Sequence, residues 1–450
     1  MQFLPASGKP RVAVLGMGHV GSCLAATLAD LGTEVVGIDT DAALVEEVRR
    51  GRSPISEPGL AEMLAGAVAA GRLHCTTDYQ EVRRTDVVII TVGTPVGPGG
   101  VLLEGQLEAL CTELAGHLRP GQLVLLKSTV PPGAARRLVV PLLERCGLQG
   151  GTDFGFAFCP ERLSEGSALR ELRAIPIVVG GWNAESTEAA AAFWRQAFGA
   201  EVIVCTSMEV AEITKLADNW WIDLNIAMAN ELARVCAVFD ADVLEVVKAA
   251  NTVPKGGGRV NILLPSVGVG GSCLTKDPWM VWRAARDHGV DLRTVTAARE
   301  INDSMPRYAF DLIVDGLRKL GKDPASATVA VLGLAYKNDT GDLRDTPVRT
   351  VVQALRSAGV RVAAYDPLVD PDRAERELGV RPAGTLEAAV RGADCLAVLA
   401  HHREFADIDF AGLRPGLRMP CLVLDGRAYY PQETIARLRG LGFAYRGIGR

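Results

Sequence analysis

The stretch Arg11-Val-Ala-Val-Leu-Gly-Met-Gly-His-Val-Gly21 decides the fold. A run of apolar residues leads straight into G-x-G-x-x-G at Gly16, Gly18 and Gly21, with Val20 just before the third glycine. Ser22 to Leu31 is expected to be a helix closed by Gly32, and Glu34-Val-Val-Gly-Ile-Asp39 a second strand ending in an acid. Strand, glycine turn, helix, strand and terminal carboxylate together specify a dinucleotide-binding β-α-β unit. The glycines admit a pyrophosphate to the helix N-terminus, and Asp39 is placed to accept from adenosine ribose hydroxyls. A carboxylate there repels a 2′-phosphate, so the expected cofactor is NAD rather than NADP.

The same plan continues along the chain. Asp86-Val-Val-Ile-Ile-Thr-Val-Gly-Thr-Pro95 and Gly121-Gln-Leu-Val-Leu-Leu-Lys-Ser-Thr-Val-Pro-Pro-Gly133 are two more buried strands that break at small hydroxyl and Pro/Gly residues. Ligands of open parallel sheets lie beyond the carboxyl ends of the strands, so Thr94 and Thr129 are expected to face cofactor or substrate. Phe154 to Gly166 is a strand running to Glu161 and Glu165, which would share one face if the segment after Pro160 is helical. Paired carboxylates also serve glycoside chemistry, but downstream of a dinucleotide unit, orienting a water or a backbone amide is the better reading. Residues 208 to 242 contain no Gly or Pro and predict one long helix, apolar on more than one side. Burial all round and a subunit interface are therefore expected, with Lys215 and Asn219 on one face.

Val267-Gly-Val-Gly-Gly-Ser-Cys-Leu-Thr-Lys-Asp-Pro278 then delivers a single thiol, Cys273, on a glycine-rich turn beside Lys276 and Asp277. A cationic neighbour favours the thiolate, the nucleophilic form. From Asp277 to about Lys322 the chain is expected to be helical, after which the opening plan recurs. Thr328-Val-Ala-Val-Leu-Gly333, Val360 to Asp366, Asp394 to Leu399 and Cys421 to Gly426 answer the four strands of the first half. This second doubly wound domain has lost the later glycines of its turn, Gly333-Leu-Ala-Tyr-Lys337. It offers Lys337, Arg344 and Arg427 instead, cations suited to a diphosphate.

Composition bounds the alternatives. The chain has 450 residues, 48% of them hydrophobic, and a net charge of −5, which gives no electrostatic footprint for nucleic acid or an anionic membrane surface. Met1 to Pro10 has no cationic segment followed by an apolar core, and no apolar run reaches the roughly 18 to 20 residues of a spanning helix, so a cytoplasmic protein is expected. Ten cysteines are scattered without a C-x-x-C or a Cys/His cluster, which argues for reduced thiols and against a metal. His401 and His402 are adjacent on an extended segment and point opposite ways, so they are not expected to share a metal.

Taken in order, Gly16-x-Gly18-x-Val20-Gly21, Glu57-Pro-Gly-Leu60, Gly93-Thr-Pro95, Ser128 to Gly133, Pro160 to Gly166, Lys215-x-x-x-Asn219, Gly270-Gly-Ser-Cys-x-x-Lys-Asp277, Leu332 to Lys337 with Arg344, and Tyr365-Asp-Pro367 resemble the nucleoside-diphosphate-sugar 6-dehydrogenases over nearly the full chain. This is the family of UDP-glucose, UDP-N-acetylmannosamine and GDP-mannose dehydrogenases. The resemblance implies a four-electron, NAD-dependent oxidation of sugar C6 to a carboxylate. Cys273 would carry a thiohemiacetal and then a thioester, and Lys215 and Asn219 would stabilise the alkoxide and oxyanion. Glu161, Glu165, Thr129 and Asp277 would position water and shuttle protons. Gly16, Gly18, Val20, Gly21, Asp39, Thr94, Thr129, Glu165, Lys276 and Arg344 would touch NAD. The nucleotide sugar would meet Glu161, Lys215, Asn219, Gly270, Lys337, Arg427 and the loop residues Ile262, Leu263, Leu264, Pro265 and Ser266.

That loop departs from the family pattern of an aromatic and Pro-Gly. Ser272 before the cysteine resembles the glucose and GDP-mannose types, whereas Pro160-Glu-Arg-Leu163 differs from the Pro-Glu-Phe-Leu common in UDP-glucose enzymes. The expected substrate is an NDP-glucose, UDP- or dTDP-linked, with UDP-N-acetylmannosamine and GDP-mannose as alternatives. The expected architecture is α/β: a dinucleotide domain over 1–206, a long central helix and small helical dimerisation region over 207–322, and a nucleotide-sugar domain over 323–450, assembled as a homodimer or higher oligomer. Three competing activities fit the residues less well. An epimerase or dehydratase needs Tyr-x-x-x-Lys, which no tyrosine here provides. A two-electron 3-hydroxyacid dehydrogenase shares the Lys-x-x-x-Asn helix but has no use for the thiol. A non-catalytic nucleotide-sugar sensor would not need Cys273, Lys215 and Asn219 together.

Overall fold

The computed structural model describes residues 2–5 and 8–450; Met1, Ala6 and Ser7 of the amino-terminal stretch read above lie outside them. The chain forms two compact units, one of Met1–Asp218 with Trp279–Asp291 and the other of Asn219–Pro278 with Leu292–Arg450.

The first unit is built on eight strands: β1 (Val12–Leu15), β2 (Val35–Ile38), β3 (Leu73–Thr76), β4 (Val87–Ile90), β5 (Leu123–Leu126), β6 (Gly155–Phe158), β7 (Ile177–Gly181) and β8 (Val202–Val204). Their order is β3-β2-β1-β4-β5-β6-β7-β8, and all neighbours run parallel except β6 and β7. Strands β1, β4, β5 and β6 are buried along their whole length, because both faces of the sheet are covered. Alternation along each strand divides the core into two layers: Val12 and Val14 pack with Leu24 and Leu28, while Ala13 and Leu15 pack with Val88, Ile90 and Val124. The five strands read from the sequence, β1, β2, β4, β5 and β6, are present. The short strands β3, β7 and β8 were not expected. The first helix runs His19–Asp30, starting inside the glycine motif, and Gly32 beyond it stands at φ +83°.

In the second unit β9 (Pro254–Lys255) and β10 (Gly258–Arg259) form a small antiparallel hairpin. The parallel strands β11 (Thr328–Leu332), β12 (Arg361–Tyr365), β13 (Cys395–Val398), β14 (Leu422–Asp425) and β15 (Ala444–Gly447) form a sheet in the order β12-β11-β13-β14-β15. The fold is thus α/β with two Rossmann-like parallel sheets, as expected.

Three helical expectations need correction. The central helix spans Met208–Val238 and stops short of Asp242, because Asp240 turns to φ +53° and Asp242 caps a new helix, Val243–Ala250, by accepting from the Leu244 amide. Instead of being buried all round, that central helix leaves Trp221, Met228 and Val235 about half exposed in the single chain. Its covered face carries Asp223 and Asn230, which meet Arg299 and Asn302 of the helix Arg293–Lys319. The helical stretch after Cys273 breaks into Asp277–Asp287 and Arg293–Lys319, separated by Gly289 at φ +78°.

Candidate active site

Each glycine of the first turn has its own physical role. Gly16 sits at φ +93°, a Cβ on Gly21 would lie 1.8 Å from the Gly16 carbonyl oxygen, and a Cβ on Gly18 would meet nothing within 4 Å. The first bends the chain, the last lets the helix approach the strand, and the middle one leaves space open. The Thr91 hydroxyl, just beyond β4, fixes the turn by donating to the Gly16 carbonyl at 2.6 Å. At the end of β2, Asp39 accepts from the Met17 amide at 2.6 Å and the Asp41 amide at 3.0 Å. These residues border a cleft of about 670 Å³ lined by Gly16, Gly18, Asp39, Thr91, Gly93 and Gln106. It lies where strand order reverses between β1 and β4, the expected seat of a dinucleotide. No side chain caps the helix that starts at His19, so its first amides suit a pyrophosphate. Val20 is half-buried in the first turn of that helix, and Thr94 is buried one residue past the cleft wall.

Glu161 and Glu165 do not share a helical face: the chain is irregular from 161 to 164 and turns before the helix Ala168–Ala174. Glu161 bonds its own successors, accepting from the Arg162 and Leu163 amides at 2.7 and 3.1 Å, which leaves no room for a helical first turn. Its other oxygen lies 3.1 Å from the ammonium of Lys127, a residue 4% exposed at the end of β5 and stacked over the Trp194 ring. Glu165 points instead to His19, Oε1 to Nδ1 at 3.4 Å. The same imidazole reaches Glu57 with Nε2 at 3.1 Å, and buried Glu57 accepts from the Gly166 and Ala168 amides. His19 and Glu57 thereby join the acid-bearing loop to the dinucleotide turn, a role the sequence reading did not assign to them or to Lys127. Thr129 is half-buried beside Ser128, whose hydroxyl donates to the Val92 carbonyl at 2.7 Å and ties the end of β5 to that of β4.

On successive turns of the central helix Lys215 and Asn219 are both buried, at 7% and 6% exposure. In the second unit Asn219 donates to Asp277 Oδ2 at 2.6 Å, and Lys276 Nζ sits 2.5 Å from Asp277 Oδ1. Asp277 is fully buried, and its amide donates to the Cys273 carbonyl at 2.8 Å. Asn219, Asp277, Lys276 and Cys273 are therefore one hydrogen-bonded group. Cys273 is exposed, whereas Cys23, Cys75, Cys111 and Cys421 are buried with thiols pushed up to about 12 and Cys159 to about 11 by desolvation. None of those five is a nucleophile near neutral pH. The glycines before Cys273 are required by Tyr336: a Cβ on Gly270 or Gly271 would come within 2.7 Å of its side chain. Gly271 also donates to the Arg344 carbonyl at 3.0 Å, so the thiol loop is seated on the turn that follows β11.

The preceding loop is pegged by asparagines. Asn225 bonds the Asn261 carbonyl and the Leu263 amide, Asn251 bonds both backbone groups of Ile262, and Asn230 accepts from the Ser266 amide. This holds Ile262, Pro265 and Ser266 buried and leaves Leu264 46% exposed. Lys337 is half-buried at the turn after β11. Arg427 spends two donors on the Leu399 and Tyr336 carbonyls, at 3.2 and 2.7 Å, and so orders the neighbouring turns of this domain. Arg344 is exposed and paired with Asp342.

Comparison with known proteins finds relatives along nearly the full chain. Sequence models of the UDP-glucose/GDP-mannose dehydrogenase family fit in order: the NAD binding domain over residues 10–198, the central domain over 209–304 and the UDP binding domain over 330–432. A UDP-N-acetyl-D-mannosamine dehydrogenase of Pyrococcus horikoshii is 33% identical over 98% of this chain and 99% of its own. The UDP-glucose 6-dehydrogenase of Rhizobium meliloti is 32% identical over 98% and 99%. Among solved structures, a UDP-D-ManNAc dehydrogenase of P. horikoshii superposes with a TM-score of 0.88 at 32% identity, covering 98% of this chain and 99% of that one. A UDP-glucose dehydrogenase of Pyrobaculum islandicum gives 0.86 at 31% identity, covering 99% and 98%.

Proposed function

The chain belongs to the UDP-glucose/GDP-mannose dehydrogenase family, NAD-dependent nucleotide-sugar dehydrogenases, and on that premise we propose that it oxidises the C6 hydroxymethyl of UDP-glucose to the carboxylate. The observation that carries the reading is the bonded group of Asn219, Asp277, Lys276 and the Cys273 main-chain carbonyl, which fixes an amide donor and the backbone of an exposed cysteine to one buried carboxylate. NAD, when bound, supplies the hydride acceptor for each two-electron oxidation. After the first oxidation the Cys273 sulfur adds to the C6 aldehyde carbon and the carbonyl oxygen becomes a thiohemiacetal hydroxyl. Loss of hydride and a proton from that adduct leaves a thioester. Water adds to the thioester, the C–S bond breaks, and the carboxylate leaves with the thiol restored. Two hydrides depart per sugar, and one water oxygen enters.

Lys215 and the Asn219 amide supply donors for the alkoxide and the oxyanions. Asp277 accepts one amide hydrogen of Asn219 and so fixes the direction of the other. Glu161, held in place by Lys127 at 3.1 Å, orients water, while Glu165 and Thr129 act beside the cofactor. Asp39 and the Gly16–Gly21 turn hold the dinucleotide; Lys337 and Arg427 belong to the nucleotide-sugar domain. Ser272 supports a glucose rather than an N-acetylhexosamine substrate. The relatives named UDP-N-acetyl-D-mannosamine dehydrogenase favour a second reading, with that sugar in place of glucose. The half-exposed apolar residues Trp221, Met228 and Val235 on the central helix support a homodimer through that face, within the 207–322 region. No helix of the described residues is long and apolar enough to cross a membrane.

The deciding experiment offers UDP-glucose, dTDP-glucose, UDP-N-acetylmannosamine, UDP-N-acetylglucosamine and GDP-mannose with NAD and counts reduced cofactor per sugar. Two equivalents with UDP-glucose and none with the others is the expected result; one equivalent means a simple alcohol dehydrogenase. Cys273→Ser is expected to abolish uronate release while both ligands still bind.

A further inference from the structure

Glu212 lies on the central helix three residues before Lys215 and is fully buried, yet no step above uses it. Its two carboxylate oxygens accept from two backbone amides of the Pro-Pro-Gly turn that follows Thr129: Gly133 N at 2.5 Å and Ala135 N at 3.0 Å. Pro131 and Pro132 have no amide to offer, and Gly133 stands at φ +79°, so the amides that attach the turn to the helix are those of Gly133 and Ala135. We infer that Glu212 is a positioning residue: in its charged form it clamps the Ser128–Ala135 turn, and Thr129 with it, onto the helical turn that carries Lys215.

The need for charge follows from hydrogen-bond arithmetic. A carboxylate presents strong acceptors on both oxygens, whereas protonation puts a hydrogen on one of them and leaves that oxygen a much weaker acceptor. Protonation therefore weakens one of the two bonds and loosens the turn. The surroundings make this accessible. Burial pushes the Glu212 carboxyl up to about 7 against the opposing pull of the Gly133 and Ala135 amides. The other charged groups facing it are Glu209, which pushes the same way, and Arg137, which opposes. Arg136 is committed to Glu209 at 2.7 Å and stacks over Trp182.

The catalytic part of this inference rests on the function proposed above, and the test separates the two. On the wild-type chain without substrate, hydrogen–deuterium exchange of the peptide covering 130–139 is measured at pH 8 and pH 6 and normalised for intrinsic rate. Weaker protection at pH 6 is expected; equal protection at both values overturns the clamp, whatever the enzyme's substrate. With UDP-glucose and NAD, Glu212→Gln, whose amide mimics the protonated acid, is expected to lower kcat about tenfold at pH 8. It should also flatten the acid limb of the wild-type profile and leave the KM for NAD within twofold. A variant that keeps the wild-type profile, or one that loses NAD binding and kcat together, overturns the positioning role. If the wild type reduces no NAD with any sugar of the panel, the proposed function fails while the exchange result still stands or falls alone.

Discussion

The Asn219 side-chain amide donates to the Asp277 carboxylate across 2.6 Å, and both residues are buried. A donor meant for developing negative charge is useful only if it is aimed before the reaction begins. Asn219→Ala removes the donor, and Asp277→Asn presents a second amide where an acceptor is needed. Each is expected to lower kcat by about two to three orders of magnitude, the cost of one oxyanion donor, with NAD binding retained. Stopped-flow reduction of NAD alongside fluorescence titration of the cofactor checks both halves. A kcat within threefold of wild type in Asn219→Ala removes the donor role.

Asp39 and Asp366 occupy equivalent positions in the two sheets. Each closes the second strand of its half and accepts the amide of the residue after the first glycine, Met17 at 2.6 Å and Leu334 at 2.7 Å. Asp39 borders an open cleft, whereas Asp366 is buried against His402 Nε2 at 3.0 Å and the Leu368 and Val369 amides. Only the first is available to a ribose. Asp39→Ala is expected to raise the KM for NAD at least tenfold, about 1.4 kcal/mol, and to narrow the preference over NADP. Steady-state kinetics with both cofactors checks it.

For Asp366 the consequence is stability. Burial alone would raise its carboxyl, but the His402 hydrogen bond and charge with the Leu334 and Leu368 amides outweigh this and hold it below the usual range. A carboxyl depressed in the folded state contributes stability that is complete above its unfolded value, about 3.9, and is lost as pH falls through the folded value. Asp366→Asn is therefore expected to unfold more easily than wild type at pH 7. The gap should close below about pH 4, as followed by denaturant melts across that range. A gap that stays constant down to pH 2 means the carboxylate charge is not what stabilises the domain.

The elements legible in the sequence were those whose signal is local. Strands β1, β4, β5 and β6, buried on both faces, read as unbroken apolar runs, and the repeat at Thr328 announced the second sheet. Strand β3 is interrupted by exposed His74, and β8, although apolar, is only three residues long and largely exposed, too short a run to stand out. Glu161 and Glu165 were found, but their joint orientation was misread, because it depends on Lys127 and on His19 with Glu57, far away in the chain. Lys127 stood in a quoted motif, yet nothing nearby reveals that it is buried over Trp194. Likewise the polar face of the central helix is decided by Arg299 and Asn302, which no helical periodicity discloses.

That buried lysine gives a last test. Lys127 Nζ and Glu161 Oε2 are 3.1 Å apart, with the two side chains 4% and 14% exposed, so each charge depends on the other for its solvation. Lys127→Met leaves Glu161 with backbone amides on one oxygen and no counter-ion on the other. If Glu161 orients the attacking water, loss of the group that holds its second oxygen is expected to lower kcat/KM about tenfold, equivalent to about 1.4 kcal/mol. Breaking a buried pair from one side costs about 3 to 5 kcal/mol, whereas replacing both partners is often nearly neutral. The Lys127→Met/Glu161→Gln double variant is accordingly expected to regain stability over Lys127→Met while remaining slow. Thermal melts and steady-state kinetics of the two variants separate the outcomes. A double variant as active as wild type shows that Glu161 takes no part in the chemistry.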